Sequence, residues 1–405
     1  MEKTILVLGG GVGGIVAANE LASKVGRAHK IVLVDRSPQH IFNASLLWAM
    51  AGWRRPEQIT KDLRRMVRPE VDIVQSEVRS IEPNKQKVKT DAGELSYDYL
   101  VIALGAELSP TIIPGYAEVA HNFYTLEGVI RLKNALNNFS GGKIAVLVTR
   151  LPFKCPAAPY EAALLLRDIF RHKKLLEKID IQVYTPETLP MPVAGPVLGQ
   201  AVKGMLEQRG IGFHPALQLE SINSDGHELR FRGGTTAGFD LLIAVPPHRI
   251  PQALDGSNLV NQTGWVPVDR QTLRTSYDNI YAIGDITAVT LPNGKLLPKA
   301  GVFAHFEAQV VANNIAADIL GTKSVVGFDG LGYCWIETGD GAAGFASGNF
   351  YAVPDPAIEL HSPSRLWHWG KIQFENYWLG DSLRKETARW ALSLGSKFFK
   401  IPGSL

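Results

Sequence analysis

The sequence predicts an α/β protein: two three-layer domains, each built on a parallel sheet, followed by a C-terminal segment of different character. Three observations carry that expectation. A glycine-punctuated strand–turn–helix–strand unit opens the chain at Thr4. A second strand-to-helix unit starts near Ile144. Two strands that close on small-residue turns, one reaching Ala106 and the other Asp285, lie on either side of that second unit.

In the first unit, Thr4–Leu8 is a short apolar strand, and Gly9, Gly11 and Gly14 follow as GxGxxG. Gly13–Ala22 continues as a small-residue helix, and Lys30–Val34 is a strand ending at Asp35, 26 residues after Gly9. Gly9 permits a tight turn, Gly11 lets the backbone approach a pyrophosphate, and Gly14 lets helix and strand pack closely. The helix N-terminus offers free N–H groups to phosphates, and Asp35 can accept from ribose hydroxyls. Such a unit is Rossmann-like and calls for a dinucleotide. Tyr97–Ala106, with Gly105 in its turn, and Thr275–Asp285 supply two further strand-end motifs in the same order along the chain. Together the three resemble the FAD-binding elements of the two-dinucleotide-binding-domain flavoproteins. That resemblance implies FAD, with Asp285 on its ribityl chain.

The second Rossmann-like unit is degenerate. Strand Ile144–Val148 runs toward a helix at about Ala157–Ile169, yet the turn between them has no glycine. It holds Leu151, Pro152, Phe153, Cys155, Pro156 and Pro159 instead. The next strand, Ile181–Tyr184, ends at Thr185 and Pro186 without an acid. A nucleotide turn filled by a thiol points to electrons from a donor other than NADH. Turn signals at Ser109-Pro110, Ile113-Pro114-Gly115 and Pro246-Pro247 mark the boundaries. The expected FAD domain uses residues 1–108 and 250–320, the inserted domain 109–249, and the C-terminal segment 321–405.

Bulk properties exclude several classes. A chain of 405 residues can build two or three packed domains. Its 42 basic and 39 acidic residues leave a net charge of +3, too mild to argue for nucleic acid. Two cysteines rule out a disulfide scaffold. No run of about 20 apolar residues is present to span a bilayer, and neither a signal peptide before Thr4 nor a metal site is expected. The expected location is cytoplasmic, peripheral on the membrane.

Cys155 and Cys334 are 179 residues apart. Free cysteine is commonly a small buried hydrophobe, but Cys155 stands near a helix start, where the dipole and unpaired N–H groups favour thiolate. Lys299, just before a helix at about Gly301–Leu320, adds positive charge where a flavin ring could lie.

Four stretches resemble sulfide:quinone oxidoreductases: CPAAPYE (155–161), GWVPVDRQTLRTSYDNIYAIGD (264–285), PKAGVFAH (298–305) and GYCWIETG (332–339). The similarity runs from residue 1 to about 380. It implies that hydrogen sulfide attacks a bridge between the cysteines, leaving a persulfide on Cys155. Cys334, freed as thiolate, would add to the flavin C4a position. Two electrons would pass through FAD to ubiquinone or menaquinone, with polysulfide or zero-valent sulfur released. Pro156 and Pro159 would stiffen the loop, and Glu161 would hold a proton or cap the helix start. Lys299 and the N–H groups after it would stabilise charge on reduced flavin. With only two cysteines the FAD is expected to be noncovalent. A histidine found in the active site of some members has no counterpart near Met191–Gly195; His172, His214 and His248 are expected to be surface or structural residues.

Residues 361–405 hold four of the eight tryptophans and carry seven Lys/Arg against three Asp/Glu. Asp381 to Lys400 reads as an amphipathic helix, with Leu383, Trp390, Leu394 and Phe398 near one stripe and Arg384, Lys385, Arg389, Lys397 and Lys400 around it. Such a helix suits an anionic membrane surface or a docking face, including one in a homo-oligomer. Lys371 and Phe374 resemble the family's quinone-channel segment, the lysine polarising a quinone carbonyl and the ring stacking on the quinone head. Rival readings are a type II NADH dehydrogenase, the flavoprotein of flavocytochrome c sulfide dehydrogenase with a haem partner, and a flavin–thiol redox sensor.

Overall fold

Thr4–Leu8 is apolar throughout because both of its faces are covered. Ile5 and Val7 join one core, and Leu6 and Leu8 join another on the opposite face of the sheet. The period-two alternation of a strand makes this division, and near-continuous apolar strands are the signature of a parallel sheet packed on both sides. The computed structural model describes residues 1–322 and 324–399. Its first sheet has five strands in the order Ile280–Ala282, Tyr99–Ile102, Thr4–Leu8, Lys30–Asp35, Val71–Gln75, all parallel.

The second sheet repeats the logic. Its order is Ala120–His121, Leu241–Val245, Gly142–Val148, Ile179–Tyr184, Gly212–His214, again all parallel. Ile144, Val146 and Val148 face the core shared with the first sheet, whereas Ala145 and Leu147 face a separate cluster. One continuous core thus runs between the sheets, and the site is built against it.

Beyond residue 330 the pattern changes to an antiparallel three-stranded sheet, Leu331–Gly339, Ala342–Asn349 and Ala357–Ser364. Helix Arg365–Leu379 packs back over it, and helix Ser382–Phe398 follows. The last helix buries Ala388 and leaves Leu383, Trp390, Leu394 and Phe398 exposed, so the apolar stripe faces away from the protein. Lys400, the final base expected on that helix, lies outside the described residues. Among the described residues no helix is long and apolar enough to cross a membrane.

The glycine turn is fixed by contact distances. A Cβ on Gly14 would stand 1.8 Å from the Gly9 carbonyl oxygen, and one on Gly9, whose φ is +103°, 2.4 Å from that of Ala103. Backbone oxygens cannot yield as a side-chain tip can. Gly14→Val is therefore expected to cost about 3 kcal/mol or more, read as a fall in thermal midpoint. A variant that melts with the wild type would refute this account of the helix–strand contact.

Candidate functional site

Cys155 is held in a conformation that few side chains adopt. Its φ of +54° lies in the left-handed region, which costs a non-glycine residue about 1–3 kcal/mol and persists only where the surroundings enforce it. Here Cys155 N donates to the Lys299 carbonyl at 2.7 Å, and the Tyr124 hydroxyl donates to the Lys154 carbonyl at 2.9 Å. Helix Ala158–His172 starts three residues later. Cys334 comes from the middle of strand Leu331–Gly339, opposite Ala346, and its thiol donates to the Trp335 carbonyl at 3.3 Å. Both cysteines are free, and both line one cavity of ≈220 Å³. The rest of its wall is mainly apolar, including Phe153, Met191, Tyr333 and Phe350.

The thiolate expected at Cys155 is not favoured. Its sulfur opens on the cavity yet lies deep in the protein mass, and burial pushes the thiol up to about 12, with the Glu161 charge adding to the effect. Lys371 and the Ala158 N–H at the helix start pull the other way and lose. Burial likewise pushes the Cys334 thiol up, reinforced by Cys155 and Glu161. The sequence shows the local helix start; it does not show how much protein closes around it.

Glu161 does not cap its helix. It is buried, and Lys371 Nζ donates to its Oε1 at 2.5 Å. The same ammonium lies 3.8 Å from Glu337 Oε1, and Glu337 Oε2 meets His368 Nδ1 at 2.9 Å. Burial pushes Glu161 up to about 7, opposed by Lys371 and assisted by Glu337. Burial works against the Lys371 ammonium too, but Glu161 and Glu337 outweigh it and hold the group above the usual lysine range. Two residues assigned separately from sequence, one to the thiols and one to a quinone, thus form a single ion pair. Phe374 is half-buried against Trp335 at 5.1 Å and Phe42 at 5.7 Å between ring centroids.

The glycine turn of the first unit has room for a ligand. A Cβ on Gly11 would meet nothing within 4 Å, whereas Gly9 and Gly14 have no such room. Asp35 accepts from the Gly10 and Ser37 N–H groups, and Gly105 takes φ +69°. Asp285 Oδ1 is buried without a partner. Burial pushes its carboxyl up, with Lys154 and Lys299 opposing. An open glycine loop at a helix N-terminus, followed by an orphaned carboxylate oxygen, fits a ligand with phosphates and hydroxyls such as FAD. Lys299 departs from expectation. Its ammonium turns to the Asp285 and Thr287 carbonyls, at 2.6 and 3.2 Å, and lies 3.4 Å from the Trp265 ring centroid. Burial brings it down to about 8, so its charge is not fixed near neutral pH.

Several site residues escaped the sequence reading. Lys154, half-buried, precedes Cys155, and Glu307 accepts from Gly284 N at 2.6 Å beneath the Asp285 turn. Glu337 stood inside the Cys334 motif, and His368 precedes Lys371 by three residues, the spacing of one helix face. Of the histidines expected to be surface or structural residues, His248 has its Nε2 buried without a partner. His172 pairs with Asp168 at 3.5 Å, His214 bonds Gln182 at 2.7 Å, and His248 packs on Tyr124 at 5.2 Å. In the FAD-free protein at pH 8, iodoacetamide is expected to label Cys155 at least about tenfold more slowly than free cysteine. Glu161→Gln removes a negative charge and leaves Lys371 with Glu337 alone, so labelling should accelerate. An unchanged rate, read by mass spectrometry, would dissolve the coupling.

Three comparisons bear on this geometry. Residues 3–308 match the family model "Pyridine nucleotide-disulphide oxidoreductase". The chain is 27% identical to the mitochondrial sulfide:quinone oxidoreductase of Mus musculus over 86% of its length and 79% of that protein. It is 24% identical to the type II NADH:quinone oxidoreductase of Staphylococcus haemolyticus over 81% of its length and 85% of that protein. The crystal structure of the sulfide:quinone oxidoreductase from Aquifex aeolicus superposes with a TM-score of 0.86 at 23% identity, covering 100% of this chain and 96% of that one. With two parallel five-stranded sheets, an FAD-compatible groove and a match over three quarters of its length, the chain belongs to the pyridine nucleotide-disulphide oxidoreductase family, whose members use FAD.

Proposed function

We propose that this oxidoreductase oxidises sulfide and delivers the electrons to a membrane quinone. The observation that carries the reading is the meeting of Cys155 and Cys334 on one apolar cavity whose wall also includes Lys299. The free thiols are the reduced form of a pair that can close as a bridge. Hydrosulfide attacks the Cys155 sulfur of that bridge, a new S–S bond forms on Cys155, and the old one breaks. Cys334 departs with the electron pair as thiolate, and the persulfide proton is left to be removed. Glu161, pushed up to about 7, exchanges a proton near neutral pH and lies close enough for both thiols to feel its charge. FAD, held by Gly9, Gly11, Asp35, Gly105 and Asp285, supplies the two-electron acceptor between thiols and quinone.

Phe374, with Phe42 and Trp335, offers flat aromatic surface to a quinone head, and Lys371 behind it carries the proton shared with Glu161. A quinone dissolved in lipid requires the protein to reach the bilayer. Trp390 and Phe398 are 66% and 80% exposed on the last helix, with Arg384, Lys385, Arg389 and Lys397 around them. That combination suits peripheral docking on an anionic surface. A pyridine nucleotide donor is disfavoured by the glycine-free turn and by Glu187, which follows strand Ile179–Tyr184 but is buried and accepts from Tyr160 and Thr185.

Anaerobic sulfide is expected to bleach the flavin of the wild type, and decylubiquinone to restore its colour. Cys334→Ser should abolish bleaching; a variant bleached at the wild-type rate removes Cys334 from the chemistry. A wild type reduced by NADH and not by sulfide would overturn the whole reading. Trp390→Glu combined with Leu394→Glu changes only exposed positions. It is expected to weaken binding to anionic vesicles at least about tenfold, since burying each apolar side chain contributes roughly 1.5–3 kcal/mol. Equal partition of the two proteins would exclude this helix as the anchor.

A further inference from the structure

Sulfide oxidation must release protons inside an apolar cavity, and the cavity itself gives them no acceptor. Of the charged side chains on its wall, Glu187 is closed off by Tyr160 and Thr185, and Lys299 is turned to backbone carbonyls. Outside that wall, the buried acid whose charge both thiols feel is Glu161. We propose that Glu337 and His368 form the proton outlet of the thiol chamber, in series with Glu161 and Lys371. This rests on the sulfide-oxidising function proposed above.

The geometry is a chain of short links. Lys371 Nζ is 2.5 Å from Glu161 Oε1 and 3.8 Å from Glu337 Oε1, and Glu337 Oε2 is 2.9 Å from His368 Nδ1. A swing of the lysine head by about 1 Å brings the longer link to hydrogen-bond range. Exposure increases only at the end of the chain: the Glu161, Lys371 and Glu337 side chains are 4%, 7% and 0% exposed, and His368 is 21%. The imidazole is fixed edge-on between Trp48 and Trp53, with centroids 5.8 and 5.9 Å away.

Other charges near this path are already engaged. Arg54, over the Trp48 ring at 4.6 Å, pairs with Glu375 at 2.7 Å, and Ser45 bonds the same carboxylate at 2.6 Å. The groups facing His368 are therefore Glu337 from the strand and Lys371 on its own helix. Those facing Glu161 are Lys371, Glu337 and the two thiols.

The transfer balances. Glu161 takes the proton of the persulfide left on Cys155. Lys371 gives one of its three protons to Glu337 as it receives that of Glu161. Glu337 passes a proton to His368 Nδ1, and the imidazolium loses its Nε2 proton to water. One proton enters and one leaves, with no redox change along the path. Histidine suits the outlet because one ring nitrogen can take a proton while the other gives one up.

His368→Gln keeps a donor for Glu337 and cannot carry a proton. In the FAD-loaded full chain, quinone reduction by sulfide is expected to fall at least about tenfold, the pH profile to change shape, and added imidazole to restore part of the rate. Unchanged rate and profile, or a loss that imidazole does not touch, would overturn the proposal; Glu337→Gln serves if the first variant does not fold. A second readout is independent of turnover. NMR of histidine-labelled protein should show the His368 titration moving when Glu161 is replaced by Gln. A titration that does not move breaks the link, whereas failure of the wild type to bleach with sulfide sinks only the functional reading.

Discussion

The buried cluster of Glu161, Lys371 and Glu337 is the constraint on which the site depends. It joins three elements that share no local sequence: helix Ala158–His172, strand Leu331–Gly339 and helix Arg365–Leu379. Cys155 lies six residues before Glu161, and Cys334 three before Glu337. A single ammonium between the two carboxylates therefore ties together the helix and the strand that follow the two sulfurs. Desolvating such charges costs several kcal/mol apiece, and removing one partner from a buried pair typically costs about 3–5 kcal/mol. The cluster acts as a clamp whose failure would separate the thiols as well as unbalance the charge.

Its charge count suits the proton exchange proposed for it. Two carboxylates and one ammonium sum to −1, an unfavourable residue of charge in a site almost closed to water. One further proton on Glu161 or on His368 neutralises the group. Burial places Glu161 near 7, so that proton is held loosely around neutral pH. For a carboxyl raised in the folded state, the sign is clear. The folded protein binds more protons than the unfolded chain between about 4.5 and 7, and Glu161 costs stability as pH rises through that window. A group kept at such a cost fits a role in proton exchange better than one in stability.

How much could be read in advance follows the range of the interactions. The first sheet and its glycine turn were legible because strand, turn and helix are contiguous, and Gly9 and Gly14 answer contacts within that unit. The degenerate turn around Cys155 was legible for the same reason. The Glu161–Lys371 bond spans 210 residues and left no periodic trace. Lys299 looked like a fixed cation because sequence shows its charge and hides the two carbonyls and the indole that receive it. The thiolate expectation failed in the same way: a helix start is local, and the burial that overrides it comes from the whole fold.

That burial need not oppose the proposed chemistry. In the bridged state neither sulfur titrates, so the low-dielectric surroundings impose no penalty. The penalty falls on Cys334 when the bridge opens and leaves it as thiolate. A thiolate of high basicity is a stronger nucleophile and electron donor than a stabilised one. Environments that raise the Cys334 thiol therefore slow its departure and strengthen the drive to give up its electron pair. Lys371, felt by both sulfurs, offsets part of the first effect. In the proposed path the same ammonium receives the proton from Glu161, so one side chain would govern both opening of the bridge and clearance of the proton.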